Sequence, residues 1–285
     1  MWQRYRSSFL RVHGHRTHYL EAGDGPPLIL VHGGGPGASG EHAWSRHMEA
    51  LGRRFRVYAI DLLGCGESDA PPIDYSVASD VWHLAGLADA LCLDRVHLAG
   101  NSRGALVAVR YALEFPTRVG RVLMIASASI ARDMGIEVPQ TEGRRALRRV
   151  LAEPSRESMR AFLENLVHDA SLVSDELVES RLRLALRPGA LEANRASLAS
   201  AAREQDDPNL WQRADLRHRL PALTIPLCLV WGREDRFAPI ELGHRLKERL
   251  PNLGEFHVLD EAGHQAQNDD PERFQAIATA FFGAA

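Results

Sequence analysis

Short apolar runs alternate with helical patterns through the first half of the chain, and this alternation limits the folds that the chain can adopt. Each apolar run has the length of a strand that is buried on both faces, and each helical pattern is long enough for a crossover connection. The apolar runs are 27–31, 55–60, 96–99 and 122–125, and the helical patterns are 76–90 and 102–115. Strands joined by helices pair in parallel, so the pattern predicts an α/β fold with a buried parallel sheet.

The flanking residues extend this prediction. Residues 9–23 alternate loosely around Gly14, which predicts a hairpin ahead of the parallel strands. Residues 131–213 show charged helical stretches and no strand pattern, which indicates a helical insertion. Strand patterns return at 226–231 and 256–259. The predicted division is therefore a core part at 1–130, a helical lid at 131–213 and a second core part at 214–285.

Composition narrows the class of protein. The chain has 285 residues with 34 lysines and arginines against 37 acidic residues, and its net charge of −3 lacks the basic surplus of nucleic-acid binders. Cys65, Cys92 and Cys228 have unrelated spacings that fit neither a disulfide framework nor a zinc site. No apolar run reaches the length of a signal peptide core or a membrane span. We therefore expect a cytoplasmic protein with no metal, no cofactor, and neither a nucleic-acid nor a membrane partner.

The pentapeptide Gly-Asn-Ser-Arg-Gly at 100–104 matches the pattern G-x-S-x-G between a predicted strand and a predicted helix. In that context a tight turn pushes the serine into a strained backbone conformation, and the flanking residues must be small. The hydroxyl of Ser102 would then stand at a helix N-terminus, where N–H groups face developing negative charge. The alternative for Ser102 is a plain helix cap in an ordinary β–α loop.

A serine nucleophile needs a base, and the base needs an acid that orients it. In this type of fold the expected chain order is serine, acid, histidine. Asp235 and His264 each follow a predicted strand, at the sheet edge where open α/β sheets bind ligands. We predict a triad of Ser102, Asp235 and His264, with Glu234 as the nearest rival acid.

The segment His-Gly-Gly-Gly-Pro-Gly at 32–37 follows the first parallel strand. Successive glycines let the backbone approach a ligand closely, so Gly35 is expected to lie against the substrate. An N–H from this loop, assigned to Gly34, and the N–H of Arg103 would form the oxyanion hole. A phosphate-binding loop is excluded because neither G-K-[ST] nor G-x-G-x-x-G before a helix is present.

These motifs resemble those of α/β-hydrolases, and the resemblance covers nearly the whole chain. Within that family the chain is similar to meta-cleavage product hydrolases, which split C–C bonds in 2-hydroxy-6-oxohexa-2,4-dienoates made by ring-opening dioxygenases. The resemblance is carried by HGGGPGASG at 32–40, DLLGCGESD at 61–69, GNSRG at 100–104 and GHQAQ at 263–267. It implies the α/β-hydrolase fold, a mostly parallel central sheet flanked by helices with a helical lid inserted before the last strands.

The resemblance also implies substrate-binding residues. Asn101 resembles the asparagine before the nucleophile that contacts the polar end of the substrate. Arg181 resembles the lid arginine that binds the dienoate carboxylate or enolate, and a guanidinium forms a bidentate pair with such a group. Because Arg181 lies in an arginine-rich helix, a solvated surface position is the alternative.

The chain departs from the family pattern at two positions. Gln265 stands after the histidine where the family has tryptophan, which removes an apolar wall and places an amide at the substrate. Arg103 follows the serine where the family has methionine, which adds a cation near the nucleophile unless the side chain turns away. These departures suggest a smaller or more polar substrate, with an extra anionic group as one possibility.

The favoured function is therefore C–C hydrolysis of a small, anionic ring-cleavage product. The alternative within enzymes is a carboxylester, lactone or amide hydrolase with the same triad. A receptor that keeps the fold without catalysis is a third reading, and the intact triad argues against it. The family also often forms dimers or larger assemblies, so a homo-oligomer is expected from the resemblance.

Overall fold

A twisted eight-stranded sheet forms the centre of the structure, a computed structural model that describes residues 5–284. The strands are β1 (Arg6–Val12), β2 (His15–Ala22), β3 (Pro27–Val31), β4 (Arg56–Ile60), β5 (Val96–Asn101), β6 (Val119–Ile125), β7 (Leu227–Gly232) and β8 (Leu253–Leu259). Their order is β1-β2-β4-β3-β5-β6-β7-β8. Strand β2 pairs antiparallel with β1 and β4, and the remaining pairs are parallel. The predicted mostly parallel α/β sheet is confirmed.

Helices connect the strands and close the chain. They are α1 (Gly40–Gly52), α2 (Val77–Ala90), α3 (Arg103–Glu114), α4 (Ala128–Asp133), α5 (Glu142–Ala152), α6 (Arg156–Glu164), α7 (Asp175–Ala185), α8 (Ala190–Asp206), α9 (Pro208–Ala214), α10 (Ile240–Arg249), α11 (Ala266–Asp269) and α12 (Pro271–Gly283). Helix α1 packs on α12, and α2 packs on α3. Helix α1 connects β3 to β4, toward one edge of the sheet, whereas α2 and α3 connect strands toward the other edge. Right-handed crossovers in opposite directions lie on opposite faces of a sheet, so the two helix pairs cover its two faces.

Burial on both faces explains the composition of the inner strands. In β3, β4 and β5 almost every side chain is buried, which is why these strands read as continuous apolar runs. Strand β3 lies between β4 and β5, so the chain passes from β3 to the neighbour on one side, β4, and then to the neighbour on the other side, β5. Such a switch point opens a crevice at the carboxyl ends of the strands, where ligands bind in open α/β sheets.

Helix α1 has no clear signal in the sequence patterns. Its buried residues include Trp44, Met48 and Leu51, but His47 is buried among them and weakens the apolar stripe. The start of α1 is fixed by Ser39, whose side chain accepts a hydrogen bond from the backbone N–H of His42. The formation of α1 therefore depends on its packing against the rest of the fold, where a neutral His47 can be buried, and not on an apolar pattern in the sequence.

The helices between β6 and β7 form a cover over the carboxyl ends of the strands. Helices α5, α6 and α7 are preceded by the N-cap residues Thr141, Ser155 and Ser174, and each of these side chains accepts a hydrogen bond from a backbone N–H of the first helical turn. Their apolar faces pack into a cluster separate from the main core. That cluster contains Val150, Met159, Phe162, Leu163, Leu166, Val167, Val173, Val178 and Ala185.

The predicted boundary at 131 falls inside α4, whose Ile130 and Ala131 belong to the main core. The three-part domain division stays a prediction.

No helix within residues 5–284 combines the length and the apolar character that a membrane crossing requires.

Candidate active site

Ser102 occupies the sharp turn between β5 and α3. Its backbone has φ 54° and ψ −113°, a conformation that side-chain-bearing residues rarely adopt. A Cβ atom on Gly100 would overlap the carbonyl of Gly104, and a Cβ on Gly104 would overlap the carbonyl of Val31. The glycines of the motif are therefore required by close backbone packing, and this packing holds Ser102 in its strained position.

His264 and Asp235 are joined directly. Asp235 follows β7, His264 follows β8, and Nδ1 of His264 lies 2.8 Å from Oδ2 of Asp235 with both residues buried. The carboxylate can only accept, so Nδ1 carries the hydrogen and Nε2 is left as the basic nitrogen. The other oxygen, Oδ1, accepts hydrogen bonds of 2.7 Å from the N–H groups of Phe237 and Ala238, which fixes the carboxylate.

The rival acid has a different contact. Oε2 of Glu234 accepts a 3.1 Å hydrogen bond from the backbone N–H of Ala262. The structure therefore brings Asp235, and not Glu234, to the histidine.

A cavity of about 400 Å³ lies between the sheet edge and the lid helices, and both Ser102 and His264 line it. Phe162 and Leu166 of the lid cover it, and the ring of Phe237 lies 4.7 Å from the ring of His264. The hydroxyl and the imidazole therefore share one enclosed space in which a small molecule can be bound.

The glycine loop forms one wall of this cavity through Gly33, Gly34 and Gly35. His32 holds the loop, because its Nε2 accepts from the backbone N–H of Leu62 at 3.1 Å and its Nδ1 lies 2.7 Å from the carbonyl of Gly33. Burial lowers the pKa of His32, which favours the neutral ring that this pair of contacts requires. Gly35 has φ +108°, and a Cβ there would meet the ring of Phe162 at 2.8 Å.

Gly34 and Arg103, the two predicted oxyanion donors, are neighbours. A Cβ on Gly34 would lie 3.5 Å from Cδ of Arg103. Arg103 is the first residue of α3, where a backbone N–H has no acceptor within the helix. Gly34 therefore lies against the side chain of Arg103, the residue that follows Ser102, and the assignment of the oxyanion hole stays a prediction.

The side chain of Arg103 turns to an acidic partner. Its Nε donates to Oδ2 of Asp80 at 2.7 Å, and its Nη2 donates to the carbonyl of Tyr75 at 2.7 Å. Burial raises the pKa of the Asp80 carboxyl, and the neighbouring Arg103 opposes that rise. Of the two cases that the sequence left open, the structure therefore shows the one in which the Arg103 side chain is paired with an acid, Asp80.

Asn101 and Gln265 are both at the cavity, and each has protein partners. The Asn101 amide donates to the carbonyl of His264 at 2.9 Å, so it fixes the histidine loop. The Gln265 side chain accepts a hydrogen bond from the Asn268 amide at 3.0 Å, and the backbone N–H of Gln265 donates to the carbonyl of Leu166 at 2.7 Å. A direct contact of either residue with substrate stays a prediction.

Arg181 is buried at the cavity, with only 3 % of its surface exposed. Its Nε and Nη2 have no hydrogen-bond partner among residues 5–284. Burial lowers its pKa to about 10, which still leaves the guanidinium charged at neutral pH. The alternative of a solvated helix arginine is wrong, since α7 directs this side chain inward.

Gly37 explains how α7 reaches this position. Its φ is +67°, and a Cβ there would overlap the backbone carbonyl of Arg181. The fourth glycine of the 32–37 segment is therefore required by the approach of the lid helix.

Potential metal ligands gather at one place in the described part of the chain. Cys228, Glu255 and His257 offer ligand atoms within 4.8 Å of one another, on β7 and β8 and away from the cavity lining. The N-terminal histidines are used elsewhere: His13 stacks on Trp82, and His18 bonds to Asp61 at 2.7 Å. At the cavity the structure places the His264–Asp235 pair and the hydroxyl of Ser102, and the triad that joins all three stays a prediction.

Comparison with known proteins agrees with this geometry. The family model described as the alpha/beta hydrolase fold matches residues 26–271. A 2-hydroxy-6-oxononadienedioate/2-hydroxy-6-oxononatrienedioate hydrolase of Paraburkholderia phymatum is 36% identical over 94% of this chain and 91% of its own length. A 2-hydroxy-6-oxo-2,4-heptadienoate hydrolase of Pseudomonas putida is 36% identical over 95% of this chain and 94% of its own length.

Solved structures show the same likeness. A mutant of the meta-cleavage product hydrolase from Pseudomonas fluorescens IP01, complexed with acetates, superposes with a TM-score of 0.82 at 31% identity and covers 97% of both chains. With the fold, the buried histidine–aspartate pair and the strained serine turn in place, the chain belongs to the α/β-hydrolase family.

Proposed function

We propose that this protein hydrolyses a C–C bond in a ring-cleavage product of the 2-hydroxy-6-oxohexa-2,4-dienoate type. The observation that carries the proposal is the buried Arg181, a charged side chain at the cavity that Ser102 and His264 line, whose Nε and Nη2 have no hydrogen-bond partner among residues 5–284. A buried charge of this kind is costly unless a ligand supplies the opposite charge. The 1-carboxylate and 2-oxygen of such a dienoate form a planar anionic group that fits it.

The chemistry follows from the residues around the serine. The dienol first takes a proton at C5 and loses one from its 2-hydroxyl, which gives the 2,6-dioxo tautomer. His264 then accepts the proton of Ser102 through Nε2, and Oγ bonds to C6. The N–H groups of Gly34 and Arg103 would hold the oxyanion, and Asp235 stabilises the charged imidazole.

Collapse of this adduct breaks the C5–C6 bond. The electron pair passes through the conjugated carbons to the 2-oxygen, and the imidazolium returns its proton there to give 2-hydroxypenta-2,4-dienoate. Water, deprotonated by His264, then attacks the acyl-serine and releases a carboxylic acid. Arg181 supports the bond-breaking step because charge returns to the group that it binds.

The test compares Arg181→Gln with Arg183→Gln on two substrates. Arg183 lies two residues away on the exposed side, with 66% of its side chain accessible, and is the matched control. We expect Arg181→Gln to lower kcat/KM for the dienoate by about 100-fold or more, since charge-assisted contacts contribute about 1.5–3 kcal/mol each. Hydrolysis of 4-nitrophenyl acetate, which has no carboxylate, should change far less. Equal losses on both substrates, or none, would contradict the proposal.

A second candidate is a carboxylester, lactone or amide hydrolase with the same triad. It is favoured by Gln265, which gives this cavity a polar side chain after the catalytic histidine. Rapid turnover of such substrates with no dienoate cleavage would select it. A small anionic substrate is part of the first proposal, while homo-oligomer formation and a cytoplasmic location stay predictions from the sequence.

A further inference from the structure

Cys228, Glu255 and His257 form a cluster of potential metal ligands on two neighbouring strands. Cys228 lies near the start of β7, and the other two residues lie on β8, the strand at the edge of the sheet. One ligand atom from each residue lies within 4.8 Å of the other two. Cysteine spacing could not reveal this cluster, because only one cysteine takes part and its partners come from another strand.

A register shift in the β7–β8 pair brings these side chains together. The parallel pairing skips Gly254, so Cys228 lies opposite Glu255 instead. Residues that lie opposite each other point to the same face of the sheet, and so do residues two positions apart along a strand. The shift therefore directs Glu255 and His257 to the face that carries Cys228. An extra residue of this kind commonly re-aims the side chains of a strand.

Helix α10 fills the opposite face of the same two strands. A Cβ atom on Gly243 of α10 would lie 3.0 Å from the ring of Trp231 and 3.2 Å from the ring of Phe256. The shifted register keeps Glu255 and His257 away from this packed face. Their side chains are 44% and 33% exposed, so an ion from solvent can reach the cluster at the sheet edge.

The charges of the cluster favour a divalent cation. Glu255 is paired with Nε2 of His257 at 2.8 Å, and among residues 5–284 no lysine or arginine forms an ion pair with it. The nearby Lys247 lies over the ring of Phe256, on the α10 face. One carboxylate and one thiolate would balance both charges of the ion. Burial and the Glu255 charge raise the pKa of the Cys228 thiol, so a bound ion must release that proton to solvent.

The donor set selects the kind of ion. Thiolate and imidazole ligands suit zinc, whereas magnesium and calcium prefer oxygen. Zinc bonds of about 2.0–2.3 Å place tetrahedral ligand atoms about 3–4 Å apart. Cys228 is fully buried and its strand is paired on both sides, so this ligand is fixed. The partly exposed side chains of Glu255 and His257 can rotate by the remaining distance of about 1 Å.

We propose that Cys228, Glu255 and His257 bind one zinc ion, with water as the fourth ligand. The ion would join the edge strand β8 to β7. The catalytic residues follow the carboxyl ends of these strands, and Cys228 lies about 13 Å before the end of β7 at about 3.3 Å per residue. Zinc at this position stabilises the sheet and takes no part in hydrolysis, so the inference is independent of the proposed reaction.

The first experiment adds Co²⁺, a spectroscopic substitute for zinc, to the metal-free protein. A cobalt–thiolate bond gives a charge-transfer band in the near ultraviolet, which we expect to saturate at one ion per chain and to disappear when Zn²⁺ is added. Cys228→Ser should remove the band. Cys92→Ser, which changes an exposed cysteine, is the control and should retain it. A missing band in the wild type, or a full band in Cys228→Ser, overturns the inference.

The second experiment does not depend on the folding of Cys228→Ser. His257→Gln changes a partly exposed side chain and should weaken Co²⁺ binding at least about 10-fold, since loss of even an outer-shell partner costs 10- to 100-fold. His244→Gln is the control, because His244 contacts the Phe256 ring from α10 and should leave the affinity unchanged. Equal Co²⁺ affinity in His257→Gln and the wild type overturns the site.

Thermal unfolding tests the structural role of the ion. Zn²⁺ at ten times its Kd should raise the unfolding temperature of the wild type and of His244→Gln by about 2–5 °C. His257→Gln at the same Zn²⁺ concentration should show a much smaller rise. An equal rise in His257→Gln and the wild type would mean that zinc stabilises the protein from another site and would contradict this role.

Discussion

The imidazole of His264 is bound through Nδ1 to Oδ2 of Asp235 at 2.8 Å, in surroundings from which water is largely excluded. The contact fixes the tautomer in which Nε2 is free to take a proton from a hydroxyl. Its geometry depends on Phe237 and Ala238, whose N–H groups hold the other carboxylate oxygen. The acid therefore orients the base and is itself oriented by the loop after β7.

Asp235→Asn should lower kcat by about 10⁴-fold with little change in folding, since the amide keeps the shape of the side chain and favours the wrong histidine tautomer. Glu234→Gln is the control, because Glu234 contacts the backbone of Ala262 instead of the histidine. Steady-state kinetics on an activated ester measures both variants. A larger loss in Glu234→Gln than in Asp235→Asn would show that the acid is misassigned.

Substitutions of Ser102 should have different effects on activity and on stability. Ser102→Ala and Ser102→Gly are both expected to lose at least about 10⁴-fold in kcat, since the nucleophile is absent. Glycine adopts φ 54° without strain, whereas alanine keeps a strain of about 1–3 kcal/mol, partly offset by the greater unfolded-state entropy of glycine. Urea unfolding should therefore show Ser102→Gly to be more stable than Ser102→Ala by about 1 kcal/mol. The reverse order would mean that the turn is not strained.

The approach of α7 to the glycine loop can be tested at Gly37. Gly37→Ala and Gly14→Ala both place a side chain at positive φ, at +67° and +87°, but only Gly37 would also overlap Arg181. Gly14→Ala should cost about 1–2 kcal/mol from the backbone alone. Gly37→Ala should cost about 1–3 kcal/mol more and should also reduce dienoate turnover, because Arg181 is displaced. Equal stability and activity of the two variants would contradict this role.

Buried histidines should make the protein sensitive to mild acid. Burial lowers the pKa of His47 to about 4 and that of His83 to about 3, from an ordinary value of 6.5. Between pH 6.5 and about 4 the unfolded chain binds protons on these rings and the native protein does not, so acidification favours unfolding.

The free energy of unfolding should then fall by up to about 1.4 kcal/mol per pH unit for each ring below pH 6. Urea titrations at pH 7, 6 and 5 measure it. His83→Gln, which removes one of the two rings, should show a shallower dependence on pH than the wild type. An unfolding midpoint that is the same at pH 5 and pH 7 would rule out this origin.

Sequence patterns were sufficient for the fold because burial on both sides of the sheet leaves continuous apolar runs, as in β3 and β5. The positions of Ser102, Asp235 and His264 could be predicted from motif and strand order, since all three follow strands that end at one sheet edge. Helix α1 could not be predicted in this way, because its buried His47 interrupts the apolar stripe.

Charge pairing across the fold was the other property that the sequence did not reveal. Nothing in the spacing indicates that Asp80 pairs with Arg103, or that Nε and Nη2 of the buried Arg181 have no hydrogen-bond partner in the described part of the chain.

The most direct test is incubation of the purified protein with 2-hydroxy-6-oxo-6-phenylhexa-2,4-dienoate, while the dienolate absorbance and the products are followed. We predict loss of the absorbance with equimolar 2-hydroxypenta-2,4-dienoate and benzoate in the wild type, and no turnover in Ser102→Ala. If wild-type protein hydrolyses 4-nitrophenyl acetate but leaves both this dienoate and the smaller 2-hydroxy-6-oxohepta-2,4-dienoate intact, C–C hydrolysis is contradicted and only the triad is left.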